Sequence, residues 1–155
     1  MRLQECGVSE RYRLSFYRDE REIPIRIYFA NEESYDTVDI QELQKKNETT
    51  DTATMGDNSY PVILYIHGGG FVTESVESYN RVCWNLAKHT NHVVVSIDYP
   101  LAPEQRFPTQ VEDCYAVAKA VFTDRSILNT EPKAITLMGD SAGGNLAAAV
   151  SLMAR

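Results

Sequence analysis

The sequence has no long hydrophobic run. Across 155 residues its apolar stretches reach about five, where a membrane-spanning helix needs about 20. No apolar core follows the opening MRLQECGVSERYR, so no secretory signal is expected. Cysteine is scarce. Cys6, Cys83 and Cys114 are odd in number and far apart, which argues against a disulfide framework and points to a reducing, cytoplasmic setting. Basic charge is short as well: 15 Lys and Arg face 22 Asp and Glu, for a net −7. Nucleic-acid binding needs a cationic face, so that class is not expected. The remaining composition, 43% hydrophobic and 24% charged, excludes collagen, coiled coil and wholesale disorder.

The acidity is local. Residues 31–60 carry eight acids and two lysines, net −6, and few large apolar side chains. Such a segment cannot offset its ordering entropy and reads as an acidic linker or insertion. A short helix near Val38–Lys46 is allowed within it. Asn47-Glu48-Thr49 matches a glycosylation sequon and is read as chance.

Before that segment, residues 10–30 read as a β-hairpin. Tyr12, Leu14 and Phe16 alternate with polar partners, as do Ile23, Ile25, Ile27 and Phe29, the period of half-buried strands. Arg18-Asp19-Glu20-Arg21 is the turn. Pro24 cannot donate to a ladder and suits an edge. After residue 61 the pattern changes to β-α-β-α-β-α. Val62–Ile66, Val93–Ile97 and Ala134–Met138 are continuous apolar runs, expected as strands buried on both faces. Residues 76–89, 109–124 and 145–154 have helical spacing. Alternating buried strands and helices predict a mostly parallel, doubly wound α/β sheet, with its active site at the carboxyl ends of the strands.

Two glycine-rich motifs fall at those ends. Gly139-Asp140-Ser141-Ala142-Gly143 is a G-x-S-x-G between a strand and a helix, the context of a nucleophile elbow. Gly139 and Gly143 leave room for a sharp turn. Ser141 then projects at the mouth of the sheet, and the Ala142 N–H faces a developing oxyanion with the helix dipole behind it. His67-Gly68-Gly69-Gly70 follows the first buried strand and is the loop type that adds oxyanion donors in esterases and lipases. A Gly-rich turn with an idle serine, and a phosphate cradle, are the rival readings of the two motifs.

HGGGF at 67–71, DYPLAPEQRFP at 98–108 and GDSAGG at 139–144 together resemble the hormone-sensitive lipase family of α/β-hydrolases. The resemblance covers residues 61–155 and, more weakly, the hairpin. It implies an α/β-hydrolase fold and a serine carboxylesterase working through an acyl-enzyme on a small-molecule ester, with no cofactor and no metal. It implies Ser141 as nucleophile and an oxyanion hole at Gly68, Gly69, Gly70 and Ala142, with Gly68 shaping the loop. Gly139 and Gly143 support the turn. His67 is implied as an orienter of its loop and Asp140 as a supporting carboxylate. Pro100 stands where the family usually has Arg, and the cap helices usual before the first strand have no counterpart.

The triad of this fold runs Ser, then Asp or Glu, then His along the chain. AGGNLAAAVSLMAR, after Ser141, contains none of the last three. The chain is therefore expected to be one partial domain, residues 1–155, truncated after the nucleophile-elbow helix and inactive alone. His89 and His92 belong to the opposite end of the sheet. A chymotrypsin-like order His67, Asp98, Ser141 fails because that class is all-β. The alternative in another class is a non-catalytic receptor, as in gibberellin receptors, which resemble the same family and lack the catalytic His. The sequence beyond Arg155 would separate them. An unpaired strand at 134–138 predicts self-association. The oligomeric state is not readable.

Overall fold

The computed structural model describes residues 11–30, 60–123 and 135–155. Cys6, the 38–46 helix, the sequon at Asn47 and nearly all of the acidic segment lie outside the described residues.

β-branched and aromatic residues set the strands. These are β1 (Arg11–Arg18), β2 (Arg21–Tyr28), β3 (Val62–Ile66), β4 (Val93–Ile97) and β5 (Ile135–Gly139). Helix α1 (Asn80–Thr90) joins β3 to β4, α2 (Thr109–Thr123) follows β4, and α3 (Ala142–Met153) follows β5. One mixed sheet results, in the order β1-β2-β4-β3-β5. The hairpin pairs antiparallel with β4, whereas β4, β3 and β5 run parallel.

Side-chain alternation divides the core into two layers. Val62, Leu64 and Ile66 of β3 join Val93, Val95 and Ile97 of β4 in a layer with Cys114, Val117, Ala118 and Val121 of α2 and Leu146, Ala147 and Val150 of α3. Ile63, Tyr65 and Val94 face the other way, onto Cys83 and Ala87 of α1. Both central strands are therefore fully buried, as a parallel sheet with helices on two faces requires. Helix α1 ends where Asn91 turns left-handed (φ 54°). No helix among the described residues is long and apolar enough to cross a membrane.

Four local expectations are corrected. First, β2 is not half-buried: Arg26 and Tyr28 are buried with their apolar neighbours. The cause is α1, whose Asn80 Oδ1 accepts from the Arg26 guanidinium (2.6 Å) and the Tyr28 hydroxyl (2.5 Å). Second, Pro24 is not on an edge strand, because β2 lies between β1 and β4. The ladder to β4 starts one residue later at Ile25, and the Pro24 carbonyl accepts from the Asp98 amide at 3.0 Å. A missing donor therefore costs nothing there. Third, the helix expected from residue 76 starts at Asn80. Ser75 and Ser78 bond each other's backbone and hold residues 75–78 as a turn. Fourth, β5 is not buried on both faces. Thr136 and Met138 are exposed, since α1 covers β3 and β4 but no described helix covers that side of β5.

Candidate active site

Register brings the two motifs together. Ile66 pairs with Ile97 on one side and with Gly139 on the other, so β3, β4 and β5 end level. The residues that follow them, His67–Gly70, Asp98–Tyr99 and Asp140–Gly143, share that end of the sheet. His92 precedes β4 and its Nδ1 donates to the Thr90 carbonyl (2.7 Å) at the other end, with exposed His89 just before it on α1.

The turn between β5 and α3 is tight. Ser141 sits at φ 50°, ψ −119°, outside the regions an L-residue prefers, at a cost of about 1–3 kcal/mol. It is the residue before α3, is exposed, and its hydroxyl makes no capping bond. The Gly143 amide donates to Asp140 O (2.8 Å) and the Asn145 amide to Ser141 O (3.1 Å), closing the first turn. Close approach explains the small residues. A Cβ on Gly139 would lie 2.5 Å from the Gly143 carbonyl, and one on Gly143 would overlap the Ile66 carbonyl oxygen. Ala142 is buried at the helix start.

The glycine loop has its own geometry. Gly69 and Gly70 take φ of +106° and +62°. The Gly69 carbonyl accepts from the amides of Val72 (3.1 Å) and Thr73 (2.9 Å), which folds the loop over. Among the described residues, the amides of Gly69, Gly70 and Ala142 donate to no backbone acceptor. His67 is fully buried and stacks on Tyr99 at 4.3 Å between ring centroids. Its Nδ1 donates to the Gly68 carbonyl (2.7 Å), and the Tyr99 hydroxyl donates to the His67 carbonyl (2.8 Å). Burial pushes the Tyr99 phenol up, so it stays a donor. No described imidazole bonds the Ser141 hydroxyl.

Asp140 joins the motifs. Its Oδ1 accepts from the Tyr65 hydroxyl (3.0 Å) and its Oδ2 from the Tyr79 hydroxyl (2.8 Å). Sequence reading missed Tyr65, Tyr79 and Tyr99. Tyr65 lies in an apolar strand run and Tyr79 at helical spacing, where a tyrosine reads as core, and Tyr99 lies within the 98–108 motif with no role of its own readable from spacing. An open cavity of about 620 Å³ is lined by Arg18, Asp19, Glu20, Arg21 and Gln105, and no residue of the two glycine-rich motifs lines it.

A family model described as alpha/beta hydrolase fold matches residues 63–155. Esterase LipI of Mycobacterium tuberculosis is 39% identical over 95 residues, which are 61% of this chain and 30% of that protein. Hormone-sensitive lipase of Mus musculus is 40% identical over 96 residues, 62% of this chain and 13% of that protein. The structure of a hyperthermophilic esterase from the archaeon Pyrobaculum calidifontis superposes with a TM-score of 0.74 at 35% identity, covering 96% of this chain and 40% of that one. The chain thus spans less than a third of the length of either curated relative.

Proposed function

This chain belongs to the alpha/beta hydrolase family, among the relatives of hormone-sensitive lipase, and on that footing we propose that Ser141 is the nucleophile of a carboxylic-ester hydrolase. Residues 1–155 make up one part of such a domain, with the hairpin at its edge and residues 31–60 as an insertion. The observation that carries the reading is the strained, exposed Ser141 on a helix N-terminus, level with a glycine loop whose amides have no backbone partner.

The Ser141 hydroxyl attacks the carbonyl carbon of a small-molecule ester. Its proton passes to an imidazole, and the carbonyl oxygen becomes an oxyanion held by N–H groups of Gly69, Gly70 and Ala142. Alcohol leaves with the proton, and water then releases the acid from the acyl-enzyme. Gly68 and His67 shape the loop. His67 does not serve as the base: its Nδ1 is held by the Gly68 carbonyl and its ring is sealed from solvent. His89 and His92 lie at the wrong end. The base therefore comes from a segment outside the described residues, and residues 1–155 by themselves turn over at no more than a residual rate. The free, buried thiols of Cys83 and Cys114 fit a reducing, cytoplasmic setting.

The test is hydrolysis of p-nitrophenyl acetate and butyrate by the native gene product and its Ser141→Ala variant. The variant is expected to lose at least about 10⁴-fold in kcat. Equal rates overturn the assignment.

A further inference from the structure

We propose that Tyr65, Tyr79 and Asp140 form a latch that fixes the glycine loop against the nucleophile elbow, and that all three are positioning residues for the oxyanion site. The catalytic consequence rests on the ester-hydrolase reading. The mechanical one does not.

Each member comes from a different part of the chain. Tyr65 is the next-to-last residue of β3, two before His67. Tyr79 ends the turn that leads from the glycine loop into α1. Asp140 immediately precedes Ser141. Both carboxylate oxygens are engaged, one by each phenol, so the side chain cannot rotate without breaking a bond to the β3–α1 side. Hydrogen bonds to an ionised acceptor are about twice as strong as neutral ones.

The latch also grips the loop itself. A Cβ on Gly68 would lie 2.5 Å from Asp140 Oδ2 and 3.0 Å from the Tyr79 hydroxyl oxygen. Only glycine lets the loop come this close. The Tyr79 hydroxyl thus sits between the Gly68 backbone and the Asp140 carboxylate. Close packing of Gly68 on the Tyr79–Asp140 hydrogen bond therefore ties the loop to the elbow. The aromatic rings continue it: Tyr65 to Tyr79 is 5.9 Å between centroids, Tyr79 to His67 5.7 Å, and His67 to Tyr99 4.3 Å. The Tyr99 hydroxyl then closes back on the loop carbonyls.

Such a device answers a geometric need. An oxyanion hole built from two separate segments works only if their amides keep a fixed distance, and misplacement by about 1 Å costs about 100-fold. Ser141 holds a backbone conformation that its surroundings must impose. Tying down the side chain of the preceding residue imposes it. Hydrogen bonding to Asp140 raises the Tyr79 phenol, and burial followed by the Asp140 bond raises Tyr65, so both remain donors into alkaline solution.

The test uses Tyr79→Phe, which keeps the ring and removes the hydroxyl, and Asp140→Asn, which turns one acceptor into a donor. Amide hydrogen exchange is followed at Gly68–Phe71 and at Ser141–Asn145. Tyr79→Phe is expected to speed exchange by about tenfold or more in both segments together while the β3–β4 ladder is unchanged. A response in one segment only, in neither, or uniformly across the sheet overturns the latch. With p-nitrophenyl butyrate and the native gene product, Tyr79→Phe and Asp140→Asn are each expected to lower kcat about tenfold or more with KM within about twofold. An unchanged kcat, or a loss carried by KM alone, overturns the positioning role. If Ser141→Ala leaves hydrolysis unchanged, the esterase reading falls while the exchange result still decides the latch.

Discussion

Gly143 and Gly144 are neighbours in the sequence and unequal in the structure. A Cβ on Gly143 would overlap the Ile66 carbonyl oxygen and lie 2.6 Å from that of His67, whereas one on Gly144 would come no closer than 3.2 Å to Gly139 O. Backbone atoms of a central strand cannot retreat. Gly143→Ala is therefore expected to cost about 3 kcal/mol, the upper end of overpacking. Gly144→Ala should stay within about 1 kcal/mol of the wild type, since its crowding is offset by helix propensity. Urea midpoints of the two variants check this, and equal midpoints would show that α3 does not ride on β3. At this scale the tight turn around Ser141 and the need for small residues at Gly139 and Gly143 were legible, because a sharp strand–turn–helix brings the backbone close to itself there. Tyr65 and Tyr79 were not. Their partner Asp140 is 75 and 61 residues away, and only the register of β3 with β5 brings them together.

Among the elements, the hairpin was legible and its burial was not. Alternation in residues 23–29 shows one apolar face. It cannot show that the other face meets Asn80 and Glu77, which take Arg26 out of water. The hairpin is also clasped to α2. The Arg18 guanidinium donates to Asp113 Oδ1 (2.5 Å) and Glu112 Oε2 (2.7 Å), with Arg21 at 3.7 Å from Asp113. The Asp113 side chain is fully buried and that of Glu112 is 42% exposed, and this difference orders the two bonds. Arg18→Ala leaves a buried carboxylate with only the distant Arg21 and is expected to cost about 3 kcal/mol. Glu112→Gln should cost less than about 1 kcal/mol. Thermal denaturation of both variants compares them, and equal losses would place the stabilisation elsewhere in the hairpin.

For the whole molecule, alternating strands and helices were enough to give the parallel core and the end that carries the motifs. They could not give strand order, which depends on pairings across the 31–60 segment, nor the exposure of β5. That strand bonds β3 on one side and has no partner on the other among the described residues, and its Thr136 and Met138 are exposed on the face that no described helix covers. Leu152 and Met153 of α3 are also exposed. An open, apolar edge of this kind templates pairing with another chain. The 155-residue chain alone is expected to self-associate, with the oligomer fraction rising with concentration in light scattering. Met138→Lys should reduce it, and a monodisperse wild-type monomer would contradict the expectation.

The sheet order has one more consequence. The chain leaves the sheet after Tyr28, opposite Val94, and re-enters at Val62, opposite Val93. Both points flank the start of β4, two strand spacings or about 10 Å apart. They lie at the end of the sheet away from Ser141. The two points between which the acidic stretch runs are thus a short gap apart at that end. Doubling the length of that stretch would cost only about 0.6 kcal/mol in closure entropy. A reporter or second module grafted between those two points would therefore be joined to the sheet at the end away from the candidate nucleophile.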